Sequence, residues 1–281
     1  LVAMFRQVDA KMEIHDITVA TVFETAGASL RFKDVHFSYK RERNILQGIS
    51  FSVDRGKTVA IVGSSGAGKS TIARLLFRFY DVSSGKIEID GRDIRDITQK
   101  NLREIIGIVP QDAVLFNDSI YYNIAYGKPG ASPTEVENAA RSASIHDFIM
   151  TLPGAYNTAV GERGLKLSGG EKQRIAIART ILKQPDIYLF DEATSALDSH
   201  TEKKIQASLN EISKNHATLI IAHRLSTIVE ADEIIVLANG TIAESGKHLQ
   251  LLKESCILKL RSRNLPVIPV NIRRIITVRN P

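Results

Sequence analysis

The chain has 281 residues, 43% hydrophobic and 24% charged, with a formal net charge of +6 and one cysteine, Cys256. That is enough apolar material for one large domain or two small ones, but no run of about 18 apolar residues that could cross a bilayer, and a lone thiol excludes an internal disulfide and suits a reducing compartment. Six bases, Lys259, Arg261, Arg263, Arg273, Arg274 and Arg279, account for the whole net charge and lie in residues 257–281, where there is no acid; this basicity belongs to a tail and gives no reason to expect a nucleic-acid partner.

The chain begins at Leu1 and reads as a piece of a longer polypeptide, with residues 1–27 as a linker closing in Thr25-Ala26-Gly27 or else a frayed terminus. From Leu30 to Tyr39 polar and apolar residues alternate, and a second alternating run spans Ile45 to Val53. The two are expected to form an antiparallel pair. The apolar run Thr58–Val62 then leads into Gly63-Ser64-Ser65-Gly66-Ala67-Gly68-Lys69-Ser70-Thr71, followed by Ile72-Ala73-Arg74-Leu75-Leu76. This is a strand, a glycine loop and a helix with the spacing G-x-x-x-x-G-K-[ST]. The glycines let successive N–H groups turn around a phosphate, and the helix N-terminus favours an anion. Lys69 can reach terminal phosphates and the Ser70 hydroxyl can ligate Mg²⁺. A chance glycine turn is the bland alternative, and the flanking strand and helix argue against it.

Further along, Gly85–Gly91 reads as a strand and turn, and Ile105–Val109 as a strand stopped by Pro110 before Gln111. From Ser119 to about Leu152 the pattern is helical, with Ser132-Pro133-Thr134-Glu135 as a helix start. Leu167-Ser168-Gly169-Gly170-Glu171 opens another helix, whose apolar face is Ile175, Ile177, Ala178, Ile181 and Leu182; its N-terminus is either a second anion site or a simple capping turn. The buried-type strand Ile187–Phe190 ends in Asp191 and Glu192, and a helix around 201–213 separates it from the strand Thr218–Ala222. Strands alternating with helices imply a parallel sheet. Acids at such a strand end belong at the ligand-binding edge, where Asp191 can orient Mg²⁺ and Glu192 can polarise a water.

The phosphate loop, Gln111, Leu167–Glu171, Asp191-Glu192, Ser195-Ala196-Leu197-Asp198 and His223 stand in the order of the ABC-type ATPase cassette, which the chain resembles from about Leu30 to Leu252. The resemblance implies an α/β P-loop NTPase fold with a mostly parallel sheet core, an antiparallel β subdomain and a helical signature subdomain. It divides the chain into a linker (1–27), a cassette (28–255) and an atypical basic tail (256–281). It makes Tyr39 the aromatic that stacks on adenine, Gln111 the sensor of metal and water, Glu192 the catalytic base and His223 the switch against the γ-phosphate. ATP and Mg²⁺ are the implied cofactors, with Ser70, Gln111 and Asp191 at the metal. Each of the less distinctive residues has an ordinary alternative: Tyr39 as an edge-strand aromatic, Gln111 as a turn residue, His223 as a polar strand end. In this family the Ser168 turn completes the site of a second, identical cassette, and Asp198 lies where the two halves communicate.

The wording of Phe77–Asp81, Gly107–Asp112, Leu115–Ile120 and Ala222–Ile228 resembles the exporter class of ABC proteins, and more narrowly Asp118–Gly127 is similar to the mitochondrial iron–sulfur-biogenesis exporters, their heavy-metal-tolerance relatives and bacterial homologues. The implied protein is a homodimeric half-transporter of a glutathione- or sulfur-related compound. Its cassette lies on the cytoplasmic or matrix side of a bacterial or mitochondrial inner membrane and meets the coupling helices of a transmembrane domain. This chain departs from the pattern in lacking that six-helix domain and in its ending after about Ser255, which reads as a shifted frame or alternative ending, or as a basic extension for anionic lipid. The alternative function is a soluble ABC-type ATPase subunit or a truncated product without transport activity of its own. A DNA- or ribosome-directed ATPase is disfavoured because no coiled-coil insertion or second cassette fits, and a non-catalytic module because Glu192 and His223 are present.

Overall fold

A computed structural model of the protein describes residues 14, 16, 23–25, 28–40, 43–164, 166–193, 199–222 and 228–254. The core is a six-stranded sheet in the order β10-β9-β3-β8-β7-β6. Its strands are β3 (Thr58–Gly63), β6 (Ile106–Val109), β7 (Ile187–Asp191), β8 (Ala217–Ile221), β9 (Glu233–Ala238) and β10 (Thr241–Gly246). All neighbours are parallel except β10, which returns antiparallel to β9. The strand that feeds the phosphate loop sits inside the sheet, with Ile61 opposite Ile221 on one side and Ile235 on the other.

The five parallel strands lack polar alternation because both faces of the sheet are covered there. Their side chains still obey the period of two. Ala60, Val62, Tyr188, Phe190, Ile220, Ile234 and Val236 face one core, while Val59, Ile61, Ile187, Leu189, Leu219, Ile221, Ile235 and Leu237 face the other. The first core is roofed by α3 (Ile120–Ala125), α4 (Pro133–Ser142), α5 (His146–Thr151), α6 (Gly169–Lys183) and α7 (Ser199–Ser213). The second is filled by α1 (Lys69–Leu76), α2 (Gln99–Ile105) and a separate four-stranded antiparallel sheet of order β2-β1-β4-β5. That sheet comprises β1 (Leu30–Lys40), β2 (Arg43–Val53), β4 (Ser84–Ile89) and β5 (Arg92–Asp93). In α1, Ile72, Leu75 and Leu76 are fully buried. Truncating any one of them to alanine costs about 2–5 kcal/mol.

The expected antiparallel pair is β1 with β2, registered from Leu30↔Val53 to Lys40↔Arg43. The helical stretch after Ser119 is three helices, not one run, because the turns at Tyr126–Ala131 and Ala143–Ile145 interrupt it. The helix start at Ser132 is a full capping box: the Ser132 hydroxyl accepts from the Glu135 N–H, and the Glu135 carboxylate accepts from the Ser132 N–H at 2.8 Å. The sequence reading names no strand after Ala222, and the structure adds β9 and β10. Residues 255–281, and with them the tail, lie outside the described residues, as does most of the expected linker. Within that linker, the Phe23 N–H donates to Asn101 Oδ1 at 2.7 Å, and Asp16 Oδ1 accepts from the Gln99 N–H at 3.0 Å.

Candidate ATP site

The phosphate loop leaves β3 at Gly63 and enters α1 at Lys69. Two glycines are dictated by the backbone. At Gly63 a Cβ would lie 2.4 Å from the Leu237 carbonyl oxygen of β9, closer than any side chain tolerates. Gly68, the N-cap of α1, sits at φ 108 and ψ 2, where an L side chain is strained, and a Cβ there would lie 2.7 Å from Leu46 Cδ2. Gly68 also has no side chain with which to cap α1, and in the first turn its carbonyl accepts from the Thr71 N–H at 3.1 Å. Ala67 is buried in the second core, while Ser64, Ser65 and Gly66 form the exposed lip. The buried Lys69 ammonium donates to the Gly63 and Ser64 carbonyls, both at 3.0 Å, which folds it back along the loop where phosphates would lie.

Tyr39, at the end of β1, comes to the same place from the antiparallel sheet. Its hydroxyl lies 3.3 Å from Thr71 Oγ1 and accepts from Arg74 Nη1 at 3.1 Å, so it touches the helix that opens the loop. Its ring is set edge-on by Phe37 and Tyr80 at 4.8 and 5.1 Å, and it remains 40% exposed, which leaves ring surface available for stacking.

Asp191 ends β7 opposite Ile221 of β8. Burial pushes its carboxyl above the usual range and the Glu192 charge adds to this, with the nearby Lys69 ammonium opposing. A carboxylate held there at an electrostatic cost suits a cation. Ser70, exposed in the first turn of α1, could offer a hydroxyl to such a cation, and the exposed Gln111 side chain an amide oxygen. Such an all-oxygen set suits Mg²⁺, which keeps waters and phosphate oxygens in the rest of its shell. Among the described residues no three His, Cys, Asp or Glu side chains cluster as a protein-only metal site.

Glu192 adopts the left-handed conformation, φ 51, and its N–H donates to the Ile221 carbonyl at 2.9 Å. For a glutamate this backbone is uncommon and strained; it turns the side chain off the strand line at the sheet edge. There Glu192 Oε2 accepts from Gln111 Nε2 at 3.1 Å, a contact across 81 positions of sequence. Lys69, Asp191, Glu192 and Gln111 are thus brought to one end of the sheet.

The Ser168 turn is built differently. Leu167 is buried in the first core and anchors the turn, while Ser168 and Gly169 are exposed. The Ser168 hydroxyl accepts from the Glu171 N–H at 3.3 Å, and the Glu171 carboxylate accepts from the Ser168 N–H at 2.7 Å. The helix behind it, α6, packs in the first core and α1 in the second, so the two helix N-termini belong to helices on opposite faces of the main sheet. Asp198 and His223 lie outside the described residues.

Three residues that hold this site together were not singled out in the sequence. Asn123, fully buried, accepts from the Phe116 N–H at 2.8 Å and donates Nδ2 to the Phe116 and Ser119 carbonyls, stapling the loop that follows Gln111. Arg179 donates Nε to the Asn123 carbonyl at 2.8 Å. Gln173, 1% exposed, donates Nε2 to the Pro110 carbonyl at 2.9 Å. Its spacing to Ile177 and Thr180 on one face of α6 carried the signal.

A family profile described as ABC transporter matches residues 46–195. The ATM1-type heavy metal exporter of Novosphingobium aromaticivorans is 58% identical over 250 residues, covering 89% of this chain and 41% of that protein. The mitochondrial iron–sulfur clusters transporter ABCB7 of Oryzias latipes is 55% identical over 245 residues, 87% of this chain and 33% of that protein. Among solved structures, a bacterial Atm1-family ABC exporter with ATP bound superposes with a TM-score of 0.89 at 55% identity, covering 94% of this chain and 46% of that one. The chain therefore spans less than half the length of these relatives, and among the described residues no helix is long and apolar enough to cross a membrane.

Proposed function

The chain belongs to the ABC transporter family, and from that premise we propose that it is the ATP-binding and ATP-hydrolysing motor of an exporter of the ATM1 and ABCB7 kind. ATP lies with its adenine on Tyr39 and its phosphates in the Gly63–Thr71 loop, against the N-terminal N–H groups of α1 and the Lys69 ammonium. Ser70, Asp191 and Gln111 hold Mg²⁺, which when bound neutralises charge on the β- and γ-phosphate oxygens. Glu192 accepts a proton from the attacking water as that oxygen bonds to the γ-phosphorus and the bond to the ADP oxygen breaks. His223 contacts the γ-phosphate. A second identical cassette supplies Leu167–Glu171 to complete each site, with Asp198 between the two. The opposite-face placement of α1 and α6 supports completion in trans.

The observation that carries hydrolysis is the 3.1 Å hydrogen bond from Gln111 to Glu192 beside Asp191 and Lys69. Glu192→Gln is expected to bind ATP, hydrolyse it about 10²–10⁴-fold more slowly and accumulate as a dimer in light scattering. Wild-type turnover in that variant would remove Glu192 from its role. Coupling to a membrane domain is supported by an exposed aromatic patch just past Gln111, formed by Phe116, Tyr122 and Tyr126. The Arg179 guanidinium lies 5.6 and 5.8 Å from the Phe116 and Tyr126 ring centres. Contiguous apolar surface of this kind marks an interface, and coupling helices are its proposed occupant. The relatives' names extend the proposal to a heavy-metal- or iron–sulfur-related cargo, here a glutathione- or sulfur-containing compound, exported across a bacterial or mitochondrial inner membrane.

A further inference from the structure

Thr180 and Gln173 are among the polar side chains of α6 that reach across to β6 and the chain leaving it. Thr180 Oγ1 donates to the Ile108 carbonyl inside the strand at 2.9 Å, and Gln173 Nε2 donates to the Pro110 carbonyl just beyond it, also at 2.9 Å. The second bond differs in what lies on either side. Pro110 immediately precedes Gln111, whose amide holds Glu192. Gln173 lies one turn into the helix capped by Ser168. Gln173 has almost no exposed surface, so its bond to the carbonyl of the half-buried Pro110 holds that carbonyl in place: breaking it leaves a buried amide donor unpaired. Proline contributes no N–H of its own, so the carbonyl bond is what this residue's backbone offers as an anchor.

We propose that Gln173 is a positioning residue: through the Pro110 carbonyl it sets Gln111 against Glu192, and it links the Ser168 turn of a chain to the base in that chain's own site. This rests on the ATPase reading above. When a partner's nucleotide draws the Ser168 turn toward it, α6 moves as a rigid helix, and Gln173 passes that motion to Gln111. Nucleotide bound at one site thereby adjusts the water-activating pair of the other.

The test uses the full-length protein. Gln173→Met keeps length and burial but removes the donor, and it is expected to lower the ATPase kcat about tenfold with KM for ATP changed less than about twofold. In a Gln111→Ala background the same substitution is expected to have no further effect, since its route to Glu192 is already cut. Thr180→Val, which breaks the neighbouring helix-to-strand bond, is expected to leave kcat unchanged. Gln173→Glu adds a readout that packing alone would not move. Its carboxylate repels the Pro110 carbonyl, whereas its protonated form can donate, so its kcat relative to wild type should rise as pH falls. The inference is overturned if the wild type turns over ATP but Gln173→Met keeps full kcat, if its loss multiplies with that of Gln111→Ala, or if Thr180→Val loses as much. A wild-type protein without ATP turnover would instead strike the ATPase reading itself. If Gln173→Met does not fold, the pH dependence of Gln173→Glu decides alone: a flat ratio overturns the inference.

Discussion

Two helices of this molecule begin at glycine-containing turns, and they begin in opposite ways. The first, α1, starts on Gly68 in a left-handed conformation with no side-chain cap. The second, α6, starts on Ser168 with a reciprocal capping box that satisfies its own end. A glycine in place of a Ser, Thr, Asp or Asn cap makes a helix less stable by only about a few tenths of a kcal/mol, and α1 offsets this through its buried Ile72, Leu75 and Leu76. The uncapped end suits a ligand held continuously by its own chain. The capped end suits a surface that must keep its shape until a partner's ligand arrives.

The largest expected break in this comparison is Lys69→Ala. It removes two charge-assisted bonds and the one ammonium placed in the loop, and ATP affinity measured by titration calorimetry should fall at least about 100-fold. Next is Asp191→Asn. Because the folded protein holds this carboxyl above its ordinary value, it binds the proton more tightly than the unfolded chain does. The ionised form therefore destabilises the fold, increasingly as pH climbs from the ordinary value through the raised one, and constantly above it. Nucleotide-free Asp191→Asn should melt a few degrees higher at pH 7, at roughly 2–4 °C per kcal/mol, while Mg²⁺-dependent ATP binding is lost.

Ser168→Ala separates the two helix ends most directly. Losing the cap should lower stability by about 1 kcal/mol in chemical denaturation, with ATP affinity of the single cassette unchanged and ATP-dependent dimerisation weakened. The smallest effect is expected for Glu171→Gln, which preserves the capping box and should shift stability by less than about 0.5 kcal/mol. A larger loss would mean that the Glu171 charge, and not its hydrogen bonds, holds the turn.

Much of this was legible along the chain. The Gly63–Thr71 loop, the Asp191-Glu192 strand end, the Ser132 and Ser168 helix starts and the β1–β2 pair are written in local spacing, because glycine conformation, capping and period-two alternation act over a few residues. What could not be read is long-range. The Gln111–Glu192 bond, the Tyr39 contact with Thr71 and the Gln173–Pro110 bond depend on which strands become neighbours, and the order β10-β9-β3-β8-β7-β6 is not the order of the chain. The three separate helices after Ser119 were merged in the sequence because the intervening turns are short. The Ile234–Leu237 run did carry a strand signal, but nothing local announced that it would lie beside β3.

That placement also governs how the protein is made. The phosphate-loop strand, Thr58–Gly63, is translated well before both of its neighbours, Ala217–Ile221 and Glu233–Ala238. At ordinary ribosomal rates the interval is about 10–35 s, during which an apolar strand has two open edges. The Leu237 carbonyl that closes against Gly63 arrives only with the later of these two neighbours. A nascent chain halted before β9 therefore carries every residue of the loop but not the wall that shapes it, and nucleotide binding should appear only once synthesis has passed that strand.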